Sequence, residues 1–257
     1  MSNTAITKIY ENLFRLEGNR GAYPIHKKLV LPDCKDIYEW LSKKYVFPKG
    51  AKVLDAGCGV GFGSLLLAGQ HDINITGISL SPSEIEQAQT NADQAELEHR
   101  ATFAVQSFDD LEAASYDVII TVESVKHSLD LQHTLQVLKN ALKPGGQLII
   151  VEDFYHLKKL NSHAKNYIND WLLTDAFRAT DYLKVLDYQS IEWQDMTSYM
   201  TSKKAIPLYG KLLMLTLGSW WKGKTLLNIY QIFRGGIYLD LLYAKGVMSY
   251  KILHYQT

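Results

Sequence analysis

Apolar and polar positions change rhythm along the chain. In the first 50 residues they recur at helical spacing: ITKIYENLFRL carries an apolar stripe, and PDCKDIYEWLSKKY opens with Pro and Asp before Ile37, Trp40 and Leu41 on one face. These segments predict a helical lid over residues 1–50. From Ala51 short apolar runs alternate with amphipathic ones. AKVLDAG, NITGISL, ATFAVQ, YDVIITVE and QLIIVED predict strands, and FGSLLLAGQ, SPSEIEQAQTNADQA and DLQHTLQVLKNAL predict helices between them. Ser81, Pro82 and Glu84 are start signals for the second of these helices, and Lys-Pro-Gly-Gly closes the third. Strands that alternate with helices predict an α/β fold with a doubly wound, mainly parallel sheet. YHLKKLNSHAKNYINDWLLTDAF and DYLKVLDY then read as helix, YQSIEWQDMT as a sixth strand and residues 197–244 as further helices. VMSYKILHYQT alternates like a seventh strand returning to the sheet edge. The expected divisions are a lid at 1–50, a core at 51–196, an inserted helical cap at 197–244 and a last strand at 245–257.

Composition agrees with a folded domain. The chain has 257 residues, 47% hydrophobic and 21% charged, enough to bury a sizeable core and too apolar for disorder. The run LLMLTLG is bounded by Lys211 and by Trp220-Trp221-Lys222, far short of the roughly 20 apolar residues of a membrane span. The N-terminus lacks a basic stretch followed by an apolar one, and two cysteines make no disulfide framework, so a reducing, cytoplasmic location is expected. Cys34 and Cys58 stand apart from any Cys or His at metal spacing, and no metal site is expected.

Charge is balanced overall, 27 basic against 27 acidic residues, but not evenly spread. From Met196 onward there are Lys203, Lys204, Lys211, Lys222, Lys224, Arg234, Lys245 and Lys251, against the single acid Asp240, interleaved with many aromatic residues. Such a segment suits an anionic, apolar ligand or a solvated charged face over an aromatic core.

The strongest chemical signal is VLDAGCGVGFGS, with Asp55, Gly57, Gly59, Gly61 and Gly63 following the first strand. Glycines there permit a tight turn and close backbone approach to a ligand at the carboxyl edge of the sheet. The dinucleotide fingerprint G-x-G-x-x-G fails, because its third glycine falls on Phe62 or Ser64, and no Gly-Lys-Ser/Thr of a Walker loop follows. The pattern D-x-G-x-G-x-G instead resembles the first motif of class I S-adenosylmethionine-dependent methyltransferases. YDVIITVES and LKNALKPGGQLIIVE resemble that family's fourth- and fifth-strand motifs, in order, so the resemblance spans about residues 50–155.

The resemblance implies a Rossmann-like, seven-stranded methyltransferase fold and a set of cofactor contacts for S-adenosylmethionine, with S-adenosylhomocysteine as product. Gly57, Cys58, Gly59 and Gly61 would wrap the methionine part, with Asp55 holding it indirectly. The second strand ends in Ser79 and Leu80 where most relatives have an acid for the ribose. GISLSPSE there resembles the branch that includes tocopherol, sterol and cyclopropane fatty acid methyltransferases. Ser107 and Phe108 would meet the adenine, Val122 lines the same edge, and Tyr10 would lay its ring against the sulfonium.

For chemistry, Glu123 at the end of the fourth strand resembles the position of a carboxylate in sterol and prenyl diphosphate methyltransferases. It can stabilise and deprotonate a carbocation left on a methylated alkene, or serve as a structural cap. His127 can act as a general base for an O- or N-acceptor, or be structural. Tyr23 and His26, in NRGAYPIHKKL with Arg20, Lys27 and Lys28, and Trp220 in the insertion are expected to meet the acceptor. The function expected is methyl transfer to a small, apolar or lipid-like and anionic metabolite, with C-methylation first and O- or N-methylation of a small natural product as the alternative. A non-catalytic cofactor-binding protein is a further alternative. Neutral charge and the lack of an Asn/Asp-Pro-Pro-Tyr tetrapeptide argue against nucleic acid, and a homodimer is left open.

Overall fold

The structure is a computed structural model that describes Thr7, Glu11 and residues 29–201, 205–219 and 224–257. Its chain order is α1 (Ile37–Lys44), β1 (Lys52–Ala56), α2 (Phe62–Gln70), β2 (Asn74–Ser79), α3 (Pro82–Gln94), β3 (Ala101–Val105) and β4 (Tyr116–Val122). There follow α4 (Leu131–Ala141), β5 (Leu142–Tyr155), α5 (Ser162–Asp170), α6 (Ala179–Tyr182), β6 (Ile191–Asp195), α7 (Ala205–Ser219), α8 (Lys224–Ala244) and β7 (Met248–Gln256). The seven strands lie in the order β3-β2-β1-β4-β5-β7-β6. They run parallel through β5, and β7 is antiparallel to both of its neighbours.

Period-two alternation explains why the central strands are apolar throughout. Val53, Val118, Ile120, Ile149 and Val151 face one core together with Tyr38, Leu41, Leu67 and Ala88 of the first three helices. Leu54, Ile119, Leu148 and Ile150 face the other with Leu131, Leu135 and Leu138 of α4. Both faces of the parallel sheet are thereby covered. β1 pairs with β2 on one side and β4 on the other, so the chain reverses direction across the sheet at β1 and opens a crevice at its carboxyl end. Leu239 and Leu242 of α8 join Tyr155, Ala164 and Tyr167 in a third cluster.

Local signals account for the helix starts. Ser81 caps α3 by accepting from the Glu84 amide at 3.2 Å, with Pro82 at the first helical position. Asp36 caps α1 through the Glu39 amide at 2.9 Å. Several expected boundaries move. The Lys-Pro-Gly-Gly stretch begins the 14-residue strand β5 instead of forming a separate turn, with an irregularity opposite Tyr116 and Val118 and Gly145 at φ +75°. DYLKVLDY yields only the four-residue α6 and a later 3-10 turn at Tyr188–Ser190. The long helix expected before it shrinks to α5, because Tyr155 is still in β5 and Leu172 turns left-handed at φ +50°.

The expected lid over residues 1–50 is corrected at its C-terminal end. α1 is part of the core: Tyr38 and Leu41 are fully buried against the sheet domain, and Trp40 is only half-buried. Tyr38 takes the inward position because its hydroxyl reaches Asp55.

Candidate active site

The glycine loop follows β1 in the crevice and is held from several sides. The amides of Gly57 and Cys58 both donate to the Ile78 carbonyl of β2, at 2.9 and 3.0 Å, and the Asn91 side chain of α3 donates to the Val60 carbonyl at 2.9 Å. Gly57, Gly59 and Gly61 have φ of +95°, +54° and +78°, in the region that favours glycine. Their surroundings differ. A Cβ on Gly57 would lie 2.3 Å from Cβ of Ser124, and one on Gly61 would lie 2.7 Å from the Phe103 ring. Gly59 alone of the three looks onto open space. The loop therefore packs tightly at both ends and presents its middle, which fits the close approach of a ligand.

Asp55 lies beneath the loop, fully buried, and accepts hydrogen bonds from the Tyr38 hydroxyl at 3.0 Å and the Ser64 hydroxyl at 2.7 Å. Burial pushes its carboxyl up to about 6 against the opposing pull of those two donors. It ties α1 and α2 to β1 under the loop. Cys58 is buried and its thiol is pushed up, first by burial and then by Asp55 and Glu84.

At the end of β2 the serine finds an acid after all. The Ser79 hydroxyl donates to Glu84 at 2.6 Å, and Glu84 is a buried carboxylate raised chiefly by that burial. Glu11 approaches the same turn, accepting from the Ser81 and Ser83 hydroxyls at 2.6 and 2.5 Å and from the Ser83 amide at 3.1 Å. Leu80 is half-buried beside it. After β3, Ser107 is buried and accepts from the Asp109 amide at 3.2 Å, while Phe108 packs on the second core.

On the other side of the crevice the strand ends carry charge. Glu123 follows β4 with φ +53°, a left-handed conformation rare for a non-glycine residue. Its Oε1 accepts from the Tyr250 hydroxyl at 2.9 Å and its Oε2 lies 3.4 Å from Lys126 Nζ. Lys126 is itself buried. Its ammonium lies 3.4 Å from Glu152 and 3.2 Å from Asp153, and 5.2 Å from the centre of the Trp171 ring. Burial alone would lower the Lys126 pKa, but Glu152, Asp153 and Glu123 together hold it well above the ordinary lysine value. Glu152 also accepts from the backbone amides of Lys126 and Asp153, at 3.2 and 2.9 Å, and Asp153 accepts from the Tyr243 hydroxyl of α8. Tyr250 and Asp153 are cross-strand partners on β7 and β5.

A domain model described as "Methyltransferase domain" matches residues 48–203. The chain belongs to this methyltransferase family. The family uses S-adenosylmethionine. Over 226 residues the chain is 27% identical to a chloroplastic tocopherol O-methyltransferase of Arabidopsis thaliana, covering 79% of this chain and 62% of that protein. Over 139 residues it is 34% identical to an S-adenosyl-L-methionine-dependent Diels-Alderase of Talaromyces variabilis, covering 52% of this chain and 46% of that one. The chain thus spans about half to three fifths of the length of these curated relatives. The crystal structure of geranyl diphosphate C-methyltransferase from Streptomyces coelicolor, with Mg2+, geranyl diphosphate and S-adenosyl-L-homocysteine, superimposes with a TM-score of 0.72. It is 15% identical and covers 99% of this chain and 97% of that one, a likeness of fold.

The methyltransferase domain gathers Asp55, Gly57, Cys58, Gly59, Gly61, Ser79, Leu80, Ser107, Phe108, Val122 and Glu123 along adjacent carboxyl ends of β1 to β4. Tyr10, Tyr23, His26 and Trp220 lie outside the described residues. His127 ends a 3-10 turn and stacks on Trp171, with ring centroids 6.3 Å apart. Burial, reinforced by Lys126, pushes its imidazole down to about 3, which makes it a weak proton acceptor in this arrangement. Sequence reading missed Tyr38, Glu84, Lys126, Glu152, Asp153, Tyr243 and Tyr250. The adjacent acids that interrupt the apolar run LIIVED were the available signal, since charged residues are seldom fully buried without partners.

Proposed function

We propose that this protein transfers a methyl group from S-adenosylmethionine to a small, apolar, lipid- or isoprenoid-like acceptor, with C-methylation favoured over O- or N-methylation. The observation that carries this reading is the carboxylate of Glu123, fixed at one oxygen by Tyr250 and at the other by Lys126, beside the glycine loop that touches Ser124. The open middle of the loop at Gly59 and the Ser79–Glu84 pair fit the amino-acid and ribose parts of the cofactor, with Glu84 supplying the carboxylate absent from position 79. Asp55 supports the loop from below and reaches the cofactor indirectly. Ser107, Phe108 and Val122 bound the adenine side, and Tyr10 is assigned to the sulfonium.

The cofactor supplies an electrophilic methyl on a sulfonium. The protein's part is to hold the acceptor in line and to exclude water. An alkene carbon that has gained a methyl leaves positive charge on its neighbour. Glu123 faces that charge, stabilises it and takes the proton whose loss restores the double bond. Trp171, Tyr243 and Tyr250 contact the charged cluster at Lys126, Asp153 and Glu123, an aromatic setting suited to an apolar acceptor. Residues 197–244 cap the acceptor side, and Tyr23, His26 and Trp220 are assigned to acceptor contact. The kinship with tocopherol O-methyltransferase supports an apolar acceptor and keeps a phenolic oxygen as the second reading.

The test is transfer of a labelled methyl from S-adenosylmethionine into cell extract, fractionated into apolar, water-soluble and nucleic-acid pools. Label in the apolar pool supports the proposal. Tight cofactor binding with no label in any pool would overturn it in favour of a non-methylating role, such as that named for the Talaromyces relative.

A further inference from the structure

Helix α7 is apolar on two opposite faces, with Lys211 and Thr216 between them. Its inner face places Leu208, flanked by Leu212 and Leu215, against Ile237 and Leu241 of α8. Its outer face carries Ile206, Tyr209, Leu213, Met214 and Leu217, which are 85, 43, 61, 74 and 61% exposed. At about 100° per residue, Ile206, Leu213 and Leu217 fall within about 40° of one another, with Tyr209 and Met214 on either flank. Scattered exposed apolar residues are ordinary, but a continuous stripe over three helical turns marks a surface that another phase or molecule covers.

Charge identifies what covers it. Residues 196–239 contain Lys203, Lys204, Lys211, Lys222, Lys224 and Arg234 and no acidic residue, and the sequence after α7 is Trp220-Trp221-Lys222. An apolar stripe on a helix whose own and flanking sequence carries lysines and two tryptophans has the composition of a helix that lies in the headgroup region of an anionic bilayer. A second copy of this chain would set the same positive segment against itself, which like-charge repulsion disfavours. Among the described residues no helix is long and apolar enough to cross a membrane, so the contact is peripheral.

We infer that the outer face of α7 seats this protein on an anionic lipid surface. The inference is independent of which acceptor is methylated. It is tested by flotation of the full chain with vesicles of phosphatidylcholine, alone or with a third phosphatidylglycerol. The unmodified chain is expected to float with the anionic vesicles and to be released by high salt, where the screening length falls to about 3 Å. The double variant L213E/L217E is expected to bind about tenfold less, with unchanged far-UV circular dichroism and S-adenosylhomocysteine affinity. K211E, a milder change on the same helix, is expected to bind less and to lose its salt sensitivity in part. V46E, at an exposed valine far along the chain, is expected to float like the unmodified protein. Failure of the unmodified chain to float overturns the inference, as does equal flotation of L213E/L217E. A lipid-free dimer that L213E/L217E dissociates also overturns it, because the face would then belong to a second copy.

Discussion

At the carboxyl ends of β1 and β2 the site is shaped by backbone. Three glycines with positive φ bend the loop, main-chain amides tie it to Ile78, and the single open position is Gly59. At the ends of β4, β5 and β7 it is shaped by ionised side chains, where one buried ammonium is set among three carboxylates and two tyrosine hydroxyls fix two of those. A cofactor common to a whole family suits recognition by backbone, which any sequence with the right glycines can reproduce. An acceptor peculiar to one protein suits side chains, which can be exchanged without rebuilding the sheet. The difference also shifts the energetic risk: the glycine side fails by steric collision and the ionic side by loss of charge balance.

The largest expected break is on the ionic side. Lys126→Met leaves Glu123, Glu152 and Asp153 buried without their shared cation and should destabilise the fold by about 3–5 kcal/mol, read from urea unfolding. Lys126→Arg should recover most of that loss. On the glycine side, Gly57→Ala should destabilise by about 2–4 kcal/mol, from the collision with Ser124 added to an unfavourable φ. Gly59→Ala carries only the φ penalty, about 1 kcal/mol. If both glycine variants proved equally stable, the distinction between packed and open positions in the loop would fail. Gly59→Asp should keep the fold, since aspartate tolerates this conformation, and should abolish S-adenosylhomocysteine binding by calorimetry.

Asp55 sharpens the comparison through pH. Its folded value near 6 lies above an unfolded value near 4, so the native state binds a proton that the unfolded chain releases. Stability of the ligand-free protein relative to Asp55→Asn should therefore fall as pH rises from about 4 to about 6, by at most about 3 kcal/mol, and stay level above that. A flat difference between the two proteins across this window would show that Asp55 is not desolvated. A small effect, on turnover and not on stability, is expected at Tyr250, which acts through Glu123. Tyr250→Phe should lower kcat about tenfold, equivalent to about 1.4 kcal/mol, leave cofactor affinity unchanged and move the acid limb of the rate profile to higher pH. An unmoved limb would return Tyr250 to a purely structural part.

Legibility in the sequence followed the same division. α2 matches FGSLLLAGQ residue for residue, and α3 starts where Ser81, Pro82 and Glu84 place it, because capping and periodicity act over a few neighbouring residues. The strands were readable because burial on both faces demands unbroken apolar runs. Ser79 was legible as a departure from the family pattern, but its answer was not: Glu84 reaches it only after the chain turns from β2 into α3. Tyr38 looked like one more apolar position in α1 until the fold set its hydroxyl against Asp55, 17 residues on.

By itself the sequence determined the alternation of strands and helices, the glycine loop and the family, since each rests on local spacing and on residues whose conformational freedom or hydrogen bonding acts nearby. Only the tertiary structure decided which glycine is open, that α1 is core, and that His127 stacks on Trp171. It alone brought Tyr250 to Glu123 across 127 positions and Tyr243 to Asp153 across 90. Burial and charge proximity are properties of points in space, and strands distant in sequence become neighbours only when the sheet order β4-β5-β7 is made.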